Sequence, residues 1–146
     1  MECQQLNVNR IREKVSDIKR SLAHLRRYSE REAEEFIKNE EAVLAARYSF
    51  IVAIEACINI ANHLCARLLN RAPANYAETF LFLGQGTLIS SELAEKLAQM
   101  ARFRNVLVHG YALIDDRKMH RIIREDLEDI DEFIAEIKKI TLGEKE

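Results

Sequence analysis

A chain of 146 residues with 48% apolar side chains is the length of one compact domain and can build a core without disulfides or a structural metal. Its formal charge of -2 and pI near 6.1 argue against a protein that coats nucleic acid through bulk charge, so any contact with RNA has to come from a local patch. Cys3, Cys57 and Cys65 form neither a CxxC pair nor an even disulfide framework, and Met1 to Gln5 lacks a basic and apolar signal pattern; both features point to a reduced, cytoplasmic protein.

From Val8 the apolar residues fall at Val8, Ile11, Val15, Ile18, Leu22 and Leu25 in steps of three and four, which predicts a first helix with one buried stripe, ending near Ser29. The charged stretch from Tyr28 to Glu41 predicts a second, short and solvated helix around Phe36 and Ile37. A third helix is expected from about Glu41 to Asn70. It carries two adjacent stripes: Val43, Phe50, Ile54, Cys57, Ala61, Leu64 and Leu68, and beside them Leu44, Tyr48, Ile51, Ile58, Cys65 and Leu69. An apolar arc that wide suits the central helix of a bundle. Arg47, Glu55, Asn59, Asn62, His63 and Arg67 interrupt it, so no membrane-spanning run of about 18 apolar residues is expected and the protein reads as soluble.

Pro73, flanked by Asn70 and Asn75, predicts a break that turns the chain back. Tyr76 to Leu83 suits a short helix ended by Gly84 and Gly86. Ser90 or Ser91 can cap a fourth main helix, with Glu92 favourable in its first turn, and this helix should run to Gly110. Asp115 to Lys118 reads as a turn and a new helix start, after which a last helix repeats the spacing at Ile123, Leu127, Ile130, Ile134 and Ile137. No segment alternates like a strand. The fold class is all-α: one domain over residues 1–146, an antiparallel bundle of four main helices with short extra ones.

Function concentrates in Ala101 to Tyr111, where Arg104, Asn105, His109 and Tyr111 stand among apolar residues. The stripe Leu93, Leu97, Met100 continues onto Arg104 and Leu107, which puts a permanently charged guanidinium on an apolar face. Such a group needs a carboxylate, a phosphate or backbone carbonyls to meet it. A second stripe, Ala94, Ala98, Ala101, Asn105 and Val108, is small enough to let another helix approach closely. Asn105 and His109 are four apart and share a face, whereas Arg104 and His109 are separated by about 140° around an ideal helix. Either the helix unwinds near Gly110, or a second subunit completes the site across a two-fold axis.

These residues resemble the HepT-type toxins of the HEPN superfamily, small all-α ribonucleases paired with minimal nucleotidyltransferase antitoxins. The family motif is Arg, a polar residue, three variable residues and His, followed by one residue and Tyr. It reads here as Arg104-Asn105-Val106-Leu107-Val108-His109-Gly110-Tyr111. Ala53 to His63 is similar to the family's central helix, and Ala72 to Phe80 to its Pro-containing linker; the resemblance covers roughly residues 6 to 140.

The resemblance implies a metal-independent endoribonuclease with a composite site in a homodimer and no cofactor. Its residues suit that chemistry. His109 would exchange protons with the 2′-hydroxyl or the leaving 5′-oxygen, giving a 2′,3′-cyclic phosphate end. Arg104 would hold the scissile phosphate, and Asn105 would orient the imidazole or the phosphate. Tyr111 corresponds to the tyrosine that accepts AMP from the antitoxin, where added charge and bulk would repel RNA.

Each residue also has a plainer reading. His109 could serve the helix terminus, Arg104 could pair with one of the acids of the last helix (Glu125, Asp126, Glu128, Asp129, Asp131, Glu132), and Tyr111 could pack over the helix end. The whole chain could be a non-catalytic HEPN dimer, the binding subunit of a nucleotidyltransferase. Arg117, Lys118, Arg121 and Arg124 form a basic cluster beside an acidic run; with Arg102, the cluster is the expected place for further RNA backbone contacts. His63, Cys57 and Cys65 lack zinc-ligand spacing and read as a hydrogen-bonded histidine and buried small residues. Gly84-Gln85-Gly86 reads as a turn.

Overall fold

The structure, a computed structural model, describes residues 6–110 and 113–143. Seven α-helices and no strand are found among them: α1 Val8–Ser29, α2 Ala33–Lys38, α3 Glu40–Leu64, α4 Tyr76–Gln85, α5 Ser91–His109, α6 Asp116–Glu125 and α7 Leu127–Gly143. The longest, α1, α3, α5 and α7, form the bundle, with α1 against α3 and α4 against α5 as the most extensive contacts.

The starts are set by short polar side chains that accept from otherwise unpartnered amides. Asn7 accepts from Arg10 N–H, Asn39 from Ala42 N–H, Asn75 from Glu78 N–H, Ser90 from Leu93 N–H, and Asp115 from Arg117 and Lys118 N–H. Of the two serines expected to cap α5, it is Ser90 that does so. The α3 helix continues as a π-helical turn over Cys65–Leu69, and Asn70 then adopts a left-handed conformation (φ 54°, ψ 44°) that ends it.

Phe36, Phe50, Phe80 and Phe133 are wholly buried, with Phe80 and Phe133 edge-to-face at 5.8 Å. Phe36 therefore corrects the picture of a solvated second helix: α2 exposes its glutamates but anchors through that ring, which lies 5.1 Å from the His120 ring of α6. The two α3 stripes also fare differently. Val43, Phe50, Ile54, Cys57, Ala61 and Leu64 of the first are buried, whereas the second is buried at Ile58 and Cys65 but 53% and 70% exposed at Leu44 and Tyr48. One 18-residue window of the helix Glu40–Leu69 has a mean hydropathy of 1.6, enough by length and composition to cross a membrane, contrary to the sequence expectation. More than half of it is buried inside the bundle, as the wide apolar arc of a central helix requires.

The expected last helix is two. The chain turns at Asp126, whose N–H bonds back to Ile122 O at 2.8 Å, and the apolar spacing runs through the corner because Ile123 and Leu127 pack into the same core on either side of it. Gly84 is required by a close approach: a Cβ there would lie 2.7 Å from the Ala94 Cβ, so α4 and α5 touch backbone to side chain. Ala94, Ala98 and Ala101 are all within 2% of full burial inside this one chain. The small-residue stripe thus receives neighbours from its own bundle.

Candidate active site

The carboxy-terminal half of α5 and the start of α4 enclose an open groove of about 620 Å³, lined by Arg104, Asn105, Val106, His109 and Gly110 on one side and Asn75 and Tyr76 on the other. Leu93, Leu97, Met100 and Leu107 are buried, and the Arg104 side chain, on the same stripe, is only 11% exposed. Its charge is met from α3. The Glu55 carboxylate oxygen Oε2 accepts from Arg104 Nε at 3.1 Å and also from Nη2. This partner replaces the acids of the last helix that the sequence offered; Glu55 lies one turn beyond Ile51 on α3, facing α5, and no spacing rule within α5 could point to it.

Arg104 Nη1 donates to Asn105 Oδ1 at 3.0 Å, and the guanidinium carbon lies 5.0 Å from the centre of the Tyr76 ring. Three hydrogen bonds use three of the five guanidinium N–H groups, so two have no partner among the described residues. The Asn105 oxygen is committed to Arg104, and its NH₂ has no partner among the described residues. Tyr76 is 39% exposed and walls the groove beside the cation. It stands in the Pro-containing segment but was not singled out from sequence, because only the fold brings it to Arg104.

His109 is the last residue of α5 and is exposed. The helix stays intact to this point, with Gly110 N–H bonded to Val106 O at 2.8 Å, so unwinding does not swing the imidazole toward Arg104. Both side chains open on the one groove, from different faces of α5, without a hydrogen bond between them among the described residues. Tyr111 lies outside the described residues. Beyond it, Asp116 in the first turn of α6 accepts two hydrogen bonds from Arg47 Nη2, at 2.9 and 3.1 Å, which fixes where the chain re-enters the bundle.

The basic cluster divides. Arg102, Lys118 and Arg121 line a second cavity of about 610 Å³ between α5 and the α6–α7 corner, and Val106 belongs to the walls of both cavities. Arg117 points elsewhere and pairs with Glu34 of α2. His63, Cys57 and Cys65 serve packing. His63 Nε2 accepts from Asn7 N–H at 2.9 Å, and partial burial with the nearby Arg67 and Arg10 lowers its pKa. Burial raises the Cys57 thiol far out of the working range and pushes Cys65 up to about 11. No group of three or more metal-ligating side chains occurs among the described residues.

Comparison with known proteins bears on this geometry. Over 84 residues, 58% of this chain and 63% of the relative, the sequence is 34% identical to a protein of Shewanella oneidensis named mRNA nuclease HepT. The alignment thus spans less than two thirds of that relative. A protein of Aphanizomenon flos-aquae named tRNA nuclease HepT is 27% identical over 130 residues, 88% of each chain. Among solved structures, a tri-AMPylated Shewanella oneidensis HEPN toxin in complex with MNT antitoxin superposes with a TM-score of 0.83 at 27% identity, covering 91% of this chain and 98% of that one. The profile described as Ribonuclease HepT-like matches residues 18–137, nearly the whole bundle and all of the groove on α5, and the chain belongs to that HepT-like family.

Proposed function

We propose that this protein is a nuclease toxin that cleaves cellular RNA as a metal-independent endoribonuclease. One observation carries the reading: in a chain of the HepT-like family, a guanidinium with two free N–H donors, a free amide and an exposed imidazole open on one groove. In the reaction, the 2′-oxygen attacks the adjacent phosphorus and the bond to the 5′-oxygen breaks. One imidazole takes the 2′-hydroxyl proton and another group returns a proton to the leaving oxygen, leaving a 2′,3′-cyclic phosphate. Arg104 and Asn105 hold the non-bridging oxygens as negative charge builds on them.

Two proton-transfer roles and one histidine per groove are the chemical reason for a homodimer with a composite site. Leu44, Tyr48 and Ile51 support it: they form an apolar strip on α3 that leads directly to Glu55, and so to Arg104. A second copy seated on this strip would bring two grooves side by side.

The partner is a nucleotidyltransferase antitoxin, in a cytoplasmic pair, and the site of control is Tyr111. Its hydroxyl oxygen attacks the α-phosphorus of ATP, pyrophosphate and the hydroxyl proton leave, and the AMP ester, two residues along the chain from His109, repels and blocks RNA. The tri-AMPylated relative bound to its antitoxin supports this step.

Incubation of the purified protein with RNA, with and without a chelator, tests the reading. Cleavage that survives chelation and disappears in His109→Ala, with the variant still a folded dimer, supports it. Absence of cleavage by unmodified protein favours the binding-module reading, for which the Arg104–Glu55 pair speaks as a purely structural use of the arginine.

A further inference from the structure

We propose that the cavity between α5 and the α6–α7 corner is a nucleotide-binding subsite that holds a guanine of the RNA strand next to the cleaved bond. The inference rests on the nuclease reading and extends it to substrate selection. At about 610 Å³ the cavity has the size of a small-ligand site. Its floor is apolar, made by Met100, Phe103, Val106 and Ile122. Phe103 is fixed edge-to-face against Phe50 of the core at 5.6 Å, and the Lys118 ammonium stands 5.6 Å over its ring.

The rim supplies the charge that a phosphate needs. Arg102 and Arg121 are exposed, and Arg102 has no acidic partner among the described residues. Because Val106 is wall to both cavities, a strand held at Arg104 and His109 continues over Val106 into this one. The two lie on one path.

The far end decides the base. Asp126 is held at the helix corner by its own N–H to Ile122 O, and Asp129 N–H bonds to Asp126 O at 3.0 Å, so both carboxylates sit on fixed backbone. Among the described residues, Lys96 is the one cation paired with Asp129, at 3.8 Å. Burial raises both carboxyl groups above the ordinary range, with Glu125 adding to the effect at Asp126 while Lys96 opposes it at both and Arg121 at Asp126. Carboxylates in that state gain from a ligand that donates two hydrogen bonds. Guanine is the base that presents adjacent N–H donors, N1–H and the N2 amino group, on its Watson–Crick edge. Adenine and cytosine place a ring-nitrogen acceptor beside their amino group, and uracil flanks its one N–H with carbonyls; each sets a lone pair against the carboxylate.

The test uses the His109→Ala protein, expected to leave RNA intact, and short single-stranded RNAs read by fluorescence anisotropy. The guanine-containing strand is expected to bind about tenfold more tightly than one in which inosine, lacking the N2 amino group, replaces guanine. Asp129→Asn and Asp126→Asn, checked for folding by circular dichroism, should erase that difference. Arg102→Ala should weaken both strands alike. Equal binding of the guanine and inosine strands overturns the proposal. If the His109-intact protein still cuts RNA in that case, the nuclease reading stands alone; if it neither binds nor cuts RNA, both fall. Loss of nucleotidyltransferase binding in the aspartate variants with RNA binding unchanged would also overturn it, by making the cavity a protein-docking surface.

Discussion

Arg104 of α5 and Glu55 of α3 hold each other between the two helices, with Glu55 Oε2 accepting from both Nε and Nη2 of the arginine. The arginine is nearly buried and the glutamate nearly half exposed, so the pair reads as an orienting contact for the cation more than as a source of stability. Glu55→Gln keeps the shape and one acceptor while removing the charge. We expect a loss of about 1 kcal/mol or less in chemical denaturation, with RNA cleavage falling by about 100-fold as the guanidinium loses its fixed position. A cleavage rate within a factor of about two of the parent would remove Glu55 from the positioning of Arg104.

Tyr48 and Leu44 give the proposed homodimer a residue-level test. Both are large, apolar and exposed on one face of α3, and neither supports the core of its own chain. The parent protein is expected to sediment as a dimer, and Tyr48→Asp as a monomer with an unchanged circular dichroism spectrum. A dimer that persists places the interface elsewhere.

The contact between His63 and Asn7 makes stability depend on pH. His63 accepts the Asn7 N–H through Nε2, which requires the neutral ring, and its folded pKa lies below the ordinary 6.5 through burial and the nearby Arg67 and Arg10. The unfolded chain therefore binds more protons on the acid side, and this contribution to stability is complete above the unfolded value and lost as pH falls through the folded one. The denaturation midpoint should drop between about pH 7 and pH 5, and less so in His63→Gln. An identical pH profile for the variant would assign the dependence to other groups.

Gly84→Ala tests the close approach of α4 to α5. The new methyl would lie 2.7 Å from the Ala94 Cβ, which has no rotamer to move into, so the helices must separate. A destabilisation of about 1–3 kcal/mol is expected, with Ala94→Gly in the same chain restoring much of it. Since α4 carries Tyr76 and α5 carries Arg104, cleavage should weaken in the single variant even below its melting range.

Periodicity made most of the helices legible. The first helix ends at Ser29, as expected, one turn past the last residue of its apolar stripe, Asn70 and Ser90 punctuate the chain as their chemistry requires, and Arg104 is visible on an apolar stripe in the sequence itself. The corner at Asp126 was hidden because its apolar spacing is continuous, and a pattern of threes and fours cannot register a change of helix axis. Likewise, an apolar stripe such as Leu44 and Tyr48 looks the same whether its own bundle or another surface covers it.

What the amino-acid sequence by itself determined is the local part: the all-α class, most of the caps and breaks, and the placing of Arg104 on one face of a helix with Asn105 and His109 on another, all of which follow from interactions within a few residues. Only the tertiary structure decided that Glu55 and Tyr76 meet Arg104, that the alanine stripe is filled within the chain, and that part of the basic cluster lines a second cavity. Those outcomes depend on which helices become neighbours, a matter of packing across long sequence separations that no spacing along a single helix encodes.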